Sequence, residues 1–170
     1  MESSPPPELP EPETEFDEGV LDHIREFGWS CVSITDRAHP EHAAANAALG
    51  PHPVYDAGFV YTVGLWLTWQ HPELILVGAW TNAHAVLSAA VRLVESGTAF
   101  SAGDESNEVL GTYPVRLGAV NDERALELLT FAHWANRRRP FDALQLVLPD
   151  KAVRWPGEAG YDSYPQPLLA

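Results

Sequence analysis

Residues 59–79 read FVYTVGLWLTWQHPELILVGA, and the fold turns on this stretch. Residues 59–67 are rich in β-branched and aromatic side chains, the composition of a strand. Residues 74–79, LILVGA, are apolar without interruption, as a strand in the middle of a sheet is when both its faces are covered. The piece between them, TWQHPE, turns the chain, so its polar groups are expected at a sheet end.

Working outward, helices and strands follow without strict alternation. On the N-terminal side, Asp17 is a suitable N-cap, Val20, Leu21, Ile24 and Phe27 recur at helical spacing, and Gly28 supplies the stop. Residues 29–35 read as a strand. Residues 36–57 form an irregular excursion punctuated by Pro40, Pro51 and Pro53, with room for a short alanine-rich helix at 41–49. On the C-terminal side, Thr81 or Asn82 can cap a helix whose Val86, Leu87, Ala90, Val91 and Val94 share a face, and Gly97 ends it. Tyr113, Val115, Leu117 and Ala119 alternate as a half-exposed strand does. Asn121 opens a third long helix, with Asp122 and Glu123 at its start and Arg137, Arg138 and Arg139 at its end, both clusters matching the helix dipole. Residues 143–148 read as a strand, Pro149-Asp150-Lys151 as a turn, and 152–155 as its hairpin return. This order predicts a single α+β domain over residues 17–170, with a mixed or mainly antiparallel sheet flanked by about three helices.

Charge and composition narrow the function. The net charge is −14, and residues 1–18 hold seven acids and no base. Such a balance repels phosphate backbones and no basic stripe offsets it, so nucleic acid is not an expected partner. Residues 1–16, rich in proline and glutamate, are expected to be a disordered acidic tail that aids solubility. There is no apolar run of about 20 residues to span a bilayer, and the first residues lack the basic and apolar regions of a signal peptide. The expected setting is the bacterial cytoplasm. Lys151 is the sole lysine, so Schiff-base or phosphate-loop chemistry would have to use it, and neither surrounding motif is present. The serine-hydrolase elbow, the zincin helix and the dinucleotide-binding glycine pattern are also missing. No motif names an enzyme class or a cofactor.

Several residues remain candidates. His71 and Glu73 could form an acid–base pair, or begin a metal site completed by His84. The structural alternative, which bare motifs favour, has His71 capping the turn and Glu73 accepting backbone N–H bonds or pairing with an arginine. Tyr61, Thr62, Trp66, Trp69, Trp80 and Trp155 could line a pocket for a flat ligand, although tryptophans more often fill cores. Trp66, Trp69 and Trp80 lie at the ends of the two apolar strands, and convergence there would make an aromatic cleft beside His71 and Glu73. Gln145, Asp150 and Gln166 either pin the C-terminal segment or orient a ligand. The candidate ligand-binding set is therefore Tyr61, Trp66, His71, Glu73, Trp80, Gln145 and Asp150. His39-x-x-His42 with His52 nearby has metal-ligand spacing but is broken by Pro40. His23 reads as exposed, His133 as a helical residue that packs or meets solvent, and Cys31 as a small buried hydrophobe.

The strings FVYTVGL, HPELILVGA, ESG, ALQLVLPD, RWPGEAGY and QPLL, in this order, resemble the bacterial domain-of-unknown-function family 4262 over roughly residues 24–169. The resemblance implies a small, soluble, mostly single-domain bacterial protein and no assigned activity. Two places depart from the pattern: 36–57 is longer than expected, and KAVRWPG stands where a GRFPW-like string is usual. The leading functional expectation is a small-molecule or cofactor-binding domain with a cleft near the HPE turn. The alternatives are a non-enzymatic interaction or regulatory module, with a protein partner, and a metal-dependent enzyme using His71, Glu73 and His84.

Overall fold

The computed structural model describes residues 8–34, 52–78 and 80–170. Twelve elements follow in order among them. They are α1 (Glu15–Phe27), β1 (Ser30–Ile34), α2 (Pro53–Ala57), β2 (Phe59–Val63), α3 (Leu65–Trp69) and β3 (Glu73–Val77). Then come α4 (Ala83–Glu95), β4 (Glu105–Ser106), β5 (Val115–Ala119), α5 (Asp122–Leu128), α6 (Thr130–Ala135) and β6 (Ala143–Val147). The strands form one six-stranded sheet in the order β1-β2-β3-β6-β5-β4. All neighbours are antiparallel except β3 and β6, which run parallel with Leu76 opposite Leu146. The domain is α+β with a mixed sheet.

Every residue of β2, β3 and β6 is buried. Alternate side chains feed two cores because both sheet faces are covered. On one face Val32, Tyr61, Val63, Ile75 and Val77 pack with Val20, Leu21 and Ile24 of α1 and with Leu128, Leu129 and Ala132 around the α5–α6 junction. On the other, Val60, Leu74, Leu76, Leu117 and Leu146 pack with Val86, Leu87, Ala90 and Val91 of α4.

Helix α1 begins earlier than Asp17. Thr14 is the N-cap: its side chain accepts from the Asp17 N–H at 3.1 Å, and Asp17 in turn accepts from the Thr14 N–H, a capping box. Asp17 is the third residue of the helix, and a capping box places an acid there as readily as at the cap. Part of the stretch read as tail is thus built into the body: Leu9 packs on the first core and Glu8 pairs with Arg137. Removing residues 1–14 is expected to leave the domain folded but to lower its stability by about 1–3 kcal/mol, the sum of a lost cap and a half-buried leucine. Urea unfolding of the shortened protein checks this.

Three further expectations change. The third long helix is two short ones, because Leu129 leaves helical geometry (ψ 54°). The Tyr61 hydroxyl enters at this break and accepts from the Phe131 N–H at 3.2 Å. The arginines follow the helix instead of ending it, with Arg137 and Arg138 at positive φ. Residues 152–155 form no strand; they are gathered into a turn by Asp150. The strand read over 59–67 stops at Val63, and Leu65–Trp69 is helical. The helix expected at 41–49 and the His39-x-x-His42 pair lie outside the described residues.

Candidate functional site

The HPE turn is a buried structural pin. Glu73 is fully buried and its carboxylate accepts four hydrogen bonds. Thr62 Oγ1 donates at 2.6 Å, Gly64 N at 3.0 Å, Trp66 N at 3.1 Å and Leu65 N at 3.3 Å. Three of these donors are the N–H groups opening α3, which its N-cap Gly64 cannot satisfy with a side chain. The carboxylate therefore makes the α3 turn where a strand was expected. Gly64 has φ 113°, and a Cβ there would stand 2.8 Å from the Gly28 carbonyl, so glycine is required. Burial pushes the Glu73 carboxyl up to about 7 against the lowering effect of its hydrogen bonds.

His71 is equally committed. Its Nδ1–H donates to the Pro72 carbonyl at 2.7 Å, and Nε2 accepts from the Phe100 N–H at 3.0 Å. Burial lowers its pKa, in keeping with a neutral ring whose two nitrogens are both used. Replacing His71 with alanine strands the Phe100 N–H and is expected to cost about 1–3 kcal/mol, read from chemical denaturation.

The tryptophans do not converge beside these two residues. The short α3 helix rotates Trp66 onto the first core, while Trp69 and Trp80 pack on the second. Tyr61 is wholly buried, and burial pushes its hydroxyl up to about 12. Gln145 holds the C-terminal segment: its Nε2 donates to the Pro167 carbonyl at 2.9 Å, and its Oε1 accepts from Leu169 N at 3.0 Å. Gln166 grips Leu148 the same way, accepting from its N–H at 2.9 Å and donating to its carbonyl at 2.7 Å.

Two candidates, Trp80 and Asp150, line the same cleft. They lie beyond the C-terminal ends of the parallel pair β3 and β6, on the wall of a cleft of about 490 Å³. Tyr113, Leu148, Lys151, Asp162 and Tyr164 line it as well. The Tyr164 ring meets Trp80 edge to face, with centroids 4.9 Å apart. Trp80 is fixed by its indole N–H, which donates to the Val77 carbonyl at 3.0 Å. It folds back over Gly78 (φ 121°), where a Cβ would lie 2.6 Å from the indole nitrogen. Asp150 shapes the floor. Its carboxylate accepts from the N–H groups of Ala152, Arg154 and Asp162, each at 2.9 Å, and from Arg154 Nε at 2.8 Å. Burial would raise this carboxyl, but those hydrogen bonds hold it at about 2.

A family model described as Domain of unknown function (DUF4262) matches residues 23–162. The chain belongs to the DUF4262 family. The match ends before the QPLL string, so the glutamine clamp of Gln166 lies outside it. No curated protein and no solved structure matches.

In this DUF4262 chain His71, Glu73 and His84 are not brought together as a set of metal ligands. Among the described residues no group of three or more His, Cys, Asp or Glu side chains could hold a metal ion. His84 lies at the start of α4, its ring stacked on Trp29 at 6.2 Å and its Nδ1 3.4 Å from Ser88 Oγ. His23 and Cys31 line a second groove with it, of about 530 Å³. Burial pushes the thiol of the half-buried Cys31 up to about 11, which keeps it protonated at neutral pH. His52 caps α2 and meets Glu127 at 2.9 Å. His133 Nδ1 is buried without a hydrogen-bond partner among the described residues. Reading the residues one by one missed Tyr113, Lys151, Asp162 and Tyr164 as cleft residues. The nearest signal was the cluster of aromatic and polar residues in YDSY, which has no periodicity to place it.

Proposed function

We propose that the protein binds a small molecule in the cleft beyond β3 and β6. The observation that carries this reading is that Trp80, the Asp150-Lys151 turn and Tyr164, from separate parts of the chain, line one cleft of a volume typical of small-ligand sites. Aromatic walls with a few placed polar groups have the character of such sites. Its position also supports the reading: ligands in sheets with parallel strands gather outside the strands' carboxyl ends, a fold-level analogy. The site proposed thus shifts from the HPE turn, whose polar atoms are already engaged, to the opposite end of β3.

A fragment screen by thermal shift tests the reading, followed by mapping of hits on the Trp80 indole resonance. Hits are expected to raise the melting temperature of wild type and to lose that effect in Tyr164→Ala, which removes an exposed ring from the wall. Hits that stabilise both proteins equally and leave the Trp80 resonance unmoved would overturn it.

A further inference from the structure

We propose that the cleft takes a small aromatic zwitterion, a molecule with one ring, one carboxylate and one ammonium, as in an aromatic amino acid. The inference rests on the cleft reading above and adds the ligand's chemistry. Trp80, Tyr164 and Tyr113 supply flat apolar surface, which favours a ring over a branched aliphatic body. Three acidic or basic side chains from the turn and the C-terminal segment border this surface: Asp150, Lys151 and Asp162. They are not equivalent. Asp150 is consumed by its four donors, one of them the Arg154 guanidinium. Lys151 and Asp162 are exposed, and neither has an ion pair among the described residues, with each other or with any other group.

Among the described residues, the cleft therefore presents one unpaired cation and one unpaired anion beside an aromatic wall. A ligand with only an acidic group would meet Lys151 but be opposed by Asp162, and a purely basic one would have the reverse difficulty. A zwitterion satisfies both. The backbone that carries both charges is tied down at one point: Asp150 accepts from Ala152 N, next to Lys151, and from Asp162 N. Asp150 is a positioning residue that ties both charged segments to one carboxylate. Such preorganisation reduces the ordering penalty of binding.

Isothermal titration calorimetry with three matched compounds tests the proposal: L-tryptophan, tryptamine, which lacks the carboxylate, and indole-3-propionate, which lacks the amine. L-Tryptophan is expected to bind most tightly. Lys151→Ala is expected to weaken L-tryptophan and indole-3-propionate about tenfold and to strengthen tryptamine, whose ammonium it no longer opposes. Asp162→Asn, which keeps the backbone bond to Asp150, is expected to weaken L-tryptophan and tryptamine and to strengthen indole-3-propionate, whose carboxylate it no longer opposes. Equal binding of all three compounds, or no selective effect of either variant, overturns the proposal. If none of the three binds while uncharged aromatic fragments still respond to Tyr164→Ala, the zwitterion fails and the cleft stands. If nothing responds to Tyr164→Ala, both fail.

Discussion

Replacing Glu73 with alanine is expected to cost about 4–5 kcal/mol near pH 4.5, a loss large enough to unfold a marginal domain. The change strands the Thr62 hydroxyl and the N–H groups of Gly64, Leu65 and Trp66 in a dry interior, and each buried donor left unpaired costs about 1–3 kcal/mol. The cost depends on pH in a definite direction. Folding raises the carboxyl from 4.5 to about 7, so between those values the native state holds a proton that the unfolded chain has released. Stability from this group is complete below about pH 4.5 and declines as pH rises towards 7. The rise is worth about 3 kcal/mol, so the alanine variant is expected to fall short of wild type by only about 1–2 kcal/mol at pH 8. His71 works in the opposite sense: its lowered pKa favours the native state above 6.5 and is lost below. Comparing wild type with the Glu73 variant at each pH cancels the His71 contribution. Urea titrations at several pH values measure the difference, and a gap that widens with rising pH would show that Glu73 is held as a carboxylate.

Leu76→Ala is expected to cost about 2–5 kcal/mol. Leu76 is fully buried in the central strand, opposite Val60 of β2 and Leu146 of β6 and in the same core as Leu87 and Ala90 of α4. Neighbours on three sides are fixed by sheet and helix, so the cavity cannot collapse, and incomplete collapse is what moves such losses to the upper end of the range. A measured loss below about 1 kcal/mol would mean that α4 shifts to refill the space.

Much of the architecture was legible because local chemistry dictated it. The apolar run LILV has no polar face to show water, so β3 had to be central with both faces covered. The stripe Val86, Leu87, Ala90, Val91 and Val94 had to face the sheet, and it does. The α+β class follows from the order of such pieces. The errors fall where a distant side chain settles the backbone. Glu73 turns residues 65–69 from strand to helix, Tyr61 enters the break at Leu129, and Asp150 gathers the turn read as a hairpin return. Each is a polar group buried by tertiary packing that must find its partners where the chain supplies them.

The candidate site divides along the same line. The residue types of HPE marked a place where polar groups meet a sheet end, and both of its readings were open on sequence grounds. Only the three-dimensional positions of Phe100 N–H and the α3 amides commit His71 and Glu73 to structure. The cleft beyond β3 and β6 was hidden because it is assembled from residues 80, 113, 148–151 and 162–164, brought together by the parallel pairing of two strands about seventy residues apart. By itself, the sequence determined which segments are buried, since burial follows from hydrophobic pattern, a local property. The tertiary structure decided which polar groups are satisfied internally and which face the cleft, because hydrogen-bond partners and opposing charges are set by distances that no spacing along the chain encodes.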